Sequence, residues 1–112
     1  MTTRVYVPTT IDGLAGFVLE GGIPEAAVRF EAADESEEAE YAALMGAADT
    51  SAELLEGPGK RVVVVAETSD PDGVIPMRLV VAVHADTEDD ADPDADLAWY
   101  ATQEIADLLP EV

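Results

Sequence analysis

In the first segment, "RVYVP", apolar and polar positions alternate. Val5 and Val7 fall on one side and Arg4 and Tyr6 on the other, the period of a half-buried strand that Pro8 stops. The period then changes. Thr9 or Thr10 can cap a helix running to about Glu20, with Ile11, Leu14 and Val18 inward and Phe17 a further candidate. Gly13 and Gly16 weaken this helix, and Gly21-Gly22 end it. "AVRFEA" alternates again, with Val28 and Phe30 on one face of a second strand. From Asp34 the helical pattern is strongest. Asp34 and Glu37 form a capping-box pair, and Glu35, Glu37, Glu38 and Glu40 suit the positive end of a helix dipole. Tyr41, Leu44, Met45, Ala48, Ala52 and Leu55 recur as an inward stripe until Gly57-Pro58-Gly59.

"RVVVVAE" is continuously apolar and β-branched, as a strand covered on both faces should be. "SDPDGVIP" turns the chain, and "MRLVVAVHA" supplies a fourth strand. After an acidic stretch, "LAWYATQEIADLLPE" reads as a last helix with Leu97, Ala101, Ile105 and Leu108 inward. The order β-α-β-α-β-β-α predicts an α+β two-layer sandwich: a four-stranded mixed sheet with three helices, mainly on one face. The helical crossovers favour parallel connections, the last two strands pair antiparallel, and the third and fourth strands belong inside.

Length changes little: residues 1–112 suit a single domain that can bury about two thirds of its unfolded surface. The absence of cysteine excludes disulfides, thiolate catalysis and cysteine-ligated metal centres. "MTTRVYVPTT" lacks a charged region followed by an apolar core, so no signal peptide is expected, and the apolar runs are too short to span a bilayer. The expected location is cytoplasmic. Charge matters more. With 25 acidic residues against five basic ones, the net charge is −20. Phosphate backbones and anionic membranes are repelled, while basic protein surfaces are attracted at low salt. The same acidity also serves plain solubility.

Four places deserve a chemical test. His84 is the only histidine, and strand spacing puts it on the same face as Asp86. A hydrolytic triad would then need Ser36, Ser51 or Ser69, none of which lies in a "GxSxG" elbow, so a structural histidine is the simpler reading. "GPGKR" pairs glycine with Lys60, but no Ser or Thr follows and the loop runs from helix to strand, the wrong way round for a phosphate loop. Residues 86–96 hold seven acidic side chains in eleven positions, and Asp86, Glu88, Asp90, Asp92 and Asp94 alternate like the start of a calcium loop. Such a loop needs glycine sixth and glutamate twelfth, where Ala91 and Leu97 stand, and Pro93 stiffens the chain. The stretch therefore reads as a solvated connector loop, with no metal or other cofactor expected. Melting curves at matched ionic strength with and without calcium should coincide, and sodium chloride should raise both by screening the like charges. The last place is Trp99, Tyr100, Gln103 and Glu104. If Leu97, Ala101 and Ile105 face inward, Trp99 and Gln103 point sideways or out, as an interaction surface would, unless Trp99 packs over the sheet edge.

"RVYVPTTIDGLAGF" at 4–17, "EYAALMGAADTSAELL" at 40–55 and "LAWYATQEIADLL" at 97–109 resemble a family of uncharacterised actinobacterial proteins, a domain of unknown function. Trp99-Tyr100-Ala101 with Gln103-Glu104 is the most specific part of the likeness. The resemblance implies a small cytoplasmic domain and no particular activity. It is weakest between "VHAD" and "WYA", where the family pattern is longer, so a role for the acidic stretch need not be a family property.

The residues favour a non-enzymatic acidic interaction module with a protein partner, a basic surface preferred, and self-association a further expectation. One alternative is a small enzyme using His84 with Asp86 or Glu104 as acid and base, which requires these groups to converge in one pocket. The other is an acidic DNA mimic, which requires rows of carboxylates along one surface.

Overall fold

The β-branched segments form the centre of the molecule. A computed structural model describes residues 2–109, and in it β1 (Thr3–Thr9) and β4 (Val62–Thr68) pair along their whole length. Three further strands, β3 (Phe30–Glu31), β6 (Val80–Ala85) and β7 (Ala98–Tyr100), complete a five-stranded sheet in the order β3-β1-β4-β6-β7. A separate two-stranded ribbon joins β2 (Gly22–Ile23) to β5 (Ile75–Pro76). The α+β class holds and β4 and β6 are interior, but the sheet has five strands instead of four. Every pairing among the described residues is antiparallel. The mixed sheet expected from helical crossovers does not form for a topological reason. β3 and β4 do run parallel to one another across a helical connection, yet β1 lies between them and pairs antiparallel with both.

The helices are α1 (Ile11–Glu20), α2 (Glu37–Leu54) and the short α3 (Ile105–Leu108). They cover both faces, which corrects the two-layer expectation. On one face Val5, Val7, Val62, Val64 and Val83 meet Leu14 of α1 and Ile105 of α3. On the other, Tyr6, Val63, Val65 and Ala82 meet Ala43, Ala47 and Ala48 of α2. This double cover explains the unbroken apolar run of β4, in which Val62 to Ala66 are all buried.

Local signals set most helix ends. Thr10 caps α1, its Oγ1 accepting the Gly13 N–H at 3.0 Å, and Gly21 closes it at φ 78°, a left-handed conformation that suits glycine. For α2 the cap is Ser36, whose Oγ accepts the Ala39 N–H at 3.1 Å. Asp34 instead accepts from Ser36 N–H at 2.7 Å. The inward face of α2 also differs from the expected stripe. Ala43, Ala47, Ala48 and Ser51 are buried, whereas Tyr41 and Ala52 are exposed. Small side chains bring the helix axis close to the sheet, and Tyr41 and Leu44 are left at its flank.

Ser51 is fully buried in this seam and ties three elements together. Its hydroxyl donates to the Thr9 carbonyl at 2.6 Å and accepts the Val62 N–H at 2.9 Å. Ser51→Ala strands that N–H, and urea denaturation should register a loss of about 1–3 kcal/mol.

The last predicted helix is the largest local correction. Ala98–Tyr100 is strand β7, a 3₁₀ turn follows at Thr102–Glu104, and only Ile105–Leu108 is α-helical. Trp99 and Tyr100 favour a pleated surface, and pairing with Val83, His84 and Ala85 satisfies the otherwise open edge of β6. Pro110 and Glu111 of the expected helix lie outside the described residues. Similarly, "AVRFEA" contributes only Phe30–Glu31 to the sheet, and "SDPDGVIP" contains β5. No helix among the described residues is long and apolar enough to cross a membrane.

Candidate functional site

On the α2 face the helix packs mainly over β3, β1 and β4 and meets β6 at Ala82, leaving the outer part of β6, with Val81 and His84, and β7 less covered. The uncovered half forms a groove of about 500 Å³ beside α2. Its floor follows from strand register. Tyr6, Val65 and Ala82 lie opposite one another in one row, and His84 and Trp99 are partners in the next. Between Val65 and Ala66 the β4–β6 register shifts, so that Ala82 faces Val65 but Val80 faces Ala66. Val81 is thus the extra residue of a bulge and stands exposed on the groove floor. Glu37, Glu40, Tyr41 and Leu44 of α2 make the wall.

The polar groups of the groove are unequal. Arg4 Nη1 binds Glu40 Oε1 at 3.0 Å and Nη2 binds Glu67 Oε2 at 3.1 Å, so one cation holds two carboxylates. These partners, Glu67 first, raise the Arg4 pKa further above its ordinary value. Burial pushes the Tyr6 phenol up. Tyr41 donates its hydroxyl proton to Asp96 Oδ1 at 2.8 Å, and this bond to the carboxylate raises the phenol pKa. Burial alone lowers the pKa of His84, which leaves its imidazole neutral at pH 7. Trp99 is 60% exposed despite its size.

A second polar centre sits by the C-terminal end of α2, where the acidic stretch leaves β6. Asp86 is 3% exposed and Arg61 is 4% exposed. Arg61 donates from Nε to Asp86 Oδ2 at 2.9 Å and from Nη2 to Oδ1 at 2.8 Å, a bidentate pair. The backbones add to it: Arg61 N–H donates to Asp86 Oδ2 at 2.8 Å, and Asp86 N–H donates to the Arg61 carbonyl at 3.1 Å. The same guanidinium reaches the carbonyls of Asp92, Pro93 and Ala95 at 3.3, 3.0 and 2.9 Å, so the acidic loop curls around one arginine. Asp90, in the left-handed region at φ 56°, donates its N–H to the Gly59 carbonyl at 2.9 Å. The solvated connector expected for residues 86–96 therefore fails at Asp86, whose charge is neutralised from across the fold.

Burial by itself raises the pKa of Asp86, but the hydrogen bonds and charge of Arg61 outweigh it and hold the carboxyl below its usual range. The sign of the linkage follows. Asp86 stabilises the fold above the unfolded carboxylate pKa of about 3.9, and that contribution is lost as pH falls through its lower folded value. Below pH ~4 the decline of stability should be shallower in Asp86→Asn than in the parent, measured by urea melts across pH.

Residues 3–109 match the model of a family of unknown function (DUF6912). The chain belongs to this family. The match spans both the groove and the Arg61–Asp86 centre. No curated protein and no solved structure matches the chain.

The residues singled out from sequence are dispersed over this DUF6912 fold. Trp99 enters the groove, but Tyr100, next to it on β7, packs into the opposite core. Gln103 lies exposed on the 3₁₀ turn beside Val18 and Met77, and Glu104 accepts the Ala101 N–H at 2.9 Å. The four do not form one surface, because β7 alternates where a helix was expected. His84 and Asp86 do not pair either: β6 ends at Ala85, and Asp86 turns to Arg61. Ser36 is the α2 cap, Ser51 is fully buried in the seam and Ser69 follows the end of β4, and none of the three lines the groove that holds His84. Among the described residues no group of three acidic or histidine side chains is arranged to hold a metal ion. Sequence reasoning missed Arg61. Its signal was an arginine placed directly before the most apolar strand, next to Lys60, in a chain with only five basic residues.

Proposed function

We propose that this domain is an acidic interaction module that docks a basic protein partner over the open half of its sheet. The observation that carries the reading is Trp99, a large aromatic 60% exposed in a groove whose walls and rim are acidic. Burying such a side chain is a common source of binding energy at interfaces. Within the groove one cation stands against three carboxylates, Glu37, Glu40 and Glu67. A net charge of −20 steers basic partners in and opposes a second copy of this chain. The test compares proteins captured from a cell extract by the parent and by Trp99→Ala, washed at low salt and at ~1 M sodium chloride, where the Debye length is about 3 Å. Basic proteins retained by the parent at low salt, and lost in both other conditions, support the reading. Identical capture by parent and variant contradicts it.

A second reading, an enzyme with His84 as general base, is favoured by one observation: the neutral imidazole opens into the same groove. Three of the nearby carboxylates are already committed, Glu40 and Glu67 to Arg4 and Asp86 to Arg61. His84→Gln that retains full capture of the partner keeps the interaction reading ahead.

A further inference from the structure

We infer that the occupant of the groove is a basic amphipathic helix contributed by another protein, which lies on β6 and β7 beside α2 and completes the helical layer on that face. The inference rests on the docking reading and names the shape of what docks. Strands lie about 4.8 Å apart, so β6, β7 and the uncovered edge of β4 offer a strip roughly as wide as a helix, about 10–12 Å. The floor of that strip continues outward from the surface that α2 covers. Val65 and Ala82 are short and buried beneath it, and Val81, lifted by the bulge, offers a single apolar ridge. Leu44 on the flank of α2 and Trp99 on β7 bound the strip as larger apolar walls, which is the arrangement an apolar helix face fits.

Charge selects the outer face of the incoming helix. Glu37 and Glu40 line the groove from α2, and Asp96, at the end of the acidic loop, is bonded to Tyr41 of the same wall. Arg4, the groove's only cation, is neutralised by Glu40 and Glu67, so uncompensated negative charge remains on the rim for lysine or arginine. An extended segment adding to the edge of β7 is the competing geometry. It would find only a three-residue strand to pair with, and it would leave Val81 and Leu44 uncovered.

Trp99 is the only tryptophan and reports directly on the groove. The probe is a leucine-lysine peptide of about 14 residues, roughly four helical turns, with leucine at helical spacing. It is titrated into the intact domain while Trp99 fluorescence is followed, beside the same peptide carrying two central prolines, which cannot be helical. The expected result is a saturable blue shift, with affinity at least about tenfold weaker for the proline peptide and for Val81→Lys. Val81 is exposed, so that substitution leaves the core intact. Equal binding of both peptides, each weakened by Val81→Lys, overturns the helix and keeps the docking groove. Binding unaffected by Val81→Lys, or no binding, overturns both.

Discussion

Replacing Arg61 with methionine should cost about 3–5 kcal/mol, the largest effect of any single substitution outside the apolar core. The reason lies in what is left behind. Methionine fills the space of the side chain, but Asp86 remains 3% exposed with its charge unpaired, and an isolated buried carboxylate is far costlier than a missing contact. The carbonyls of Asp92, Pro93 and Ala95 lose their shared donor as well, which releases the acidic loop from the body of the fold. Against a typical stability of about 5–15 kcal/mol, the loss brings the domain near its unfolding threshold. Asp86→Leu alone should be comparably damaging, since it buries the guanidinium without a counter-charge. The double replacement, Arg61→Met with Asp86→Leu, should recover most of the loss, because an apolar pair of similar volume needs no desolvated charges. Urea denaturation of the four proteins reads the cycle, and additive losses would show that the two residues act separately.

Leu14→Ala should cost about 2–5 kcal/mol. Leu14 is the only fully buried side chain of α1, a ten-residue helix with glycines at positions 13 and 16. Such a helix is marginal on its own and stays folded through its contact with the sheet. Truncation leaves a cavity under Val5, Val7 and Val64 and loosens α1 from the face it covers. Leu19, one turn and a half away and 88% exposed, provides the control: alanine there should change stability by no more than ~0.5 kcal/mol. Thermal melts of the two variants test the contrast.

What was legible in the chain tracks the range of the interactions involved. β1, β4 and α1 are set by neighbours in sequence: the alternation around Tyr6, the β-branched run from Val62, the Thr10 cap and Gly21. The elements match the structure, with three differences: β1 runs through Pro8 to Thr9, it is buried on both faces because α2 covers Tyr6, and Val18, expected inward on α1, is exposed. The extent of α2 was legible, but its orientation was not. Ala43, Ala47 and Ala48 carry little hydrophobic signal, and Tyr41 and Leu44 outweigh them in any periodicity. In sequence β7 reads as helix because Leu97, Ala101 and Ile105 have helical spacing, while the edge of β6 that claims Ala98–Tyr100 lies across the acidic loop. The β2–β5 ribbon joins two-residue segments too short to carry a period. For the candidate site, Trp99 was visible as an exposed aromatic. Its groove depends on strand order and on a bulge at Val81, neither of which leaves a local mark. Arg61 and Asp86, 25 positions apart, show the same limit: the acidic run was conspicuous, and the single cation that organises it was not.

The docking surface itself is tested most directly by a backbone-amide NMR titration of the domain with the leucine-lysine peptide, which reports on every strand at once. Binding in the groove predicts that the largest shift changes fall on Val81, Ala82, His84 and Trp99, with smaller ones along the Glu37–Leu44 flank of α2, and that all saturate together. Changes confined to the acidic loop from Asp86 to Asp96, growing without saturation while β6 and β7 stay still, would mean that charge alone attracts the peptide and that the open half of the sheet is not its binding site.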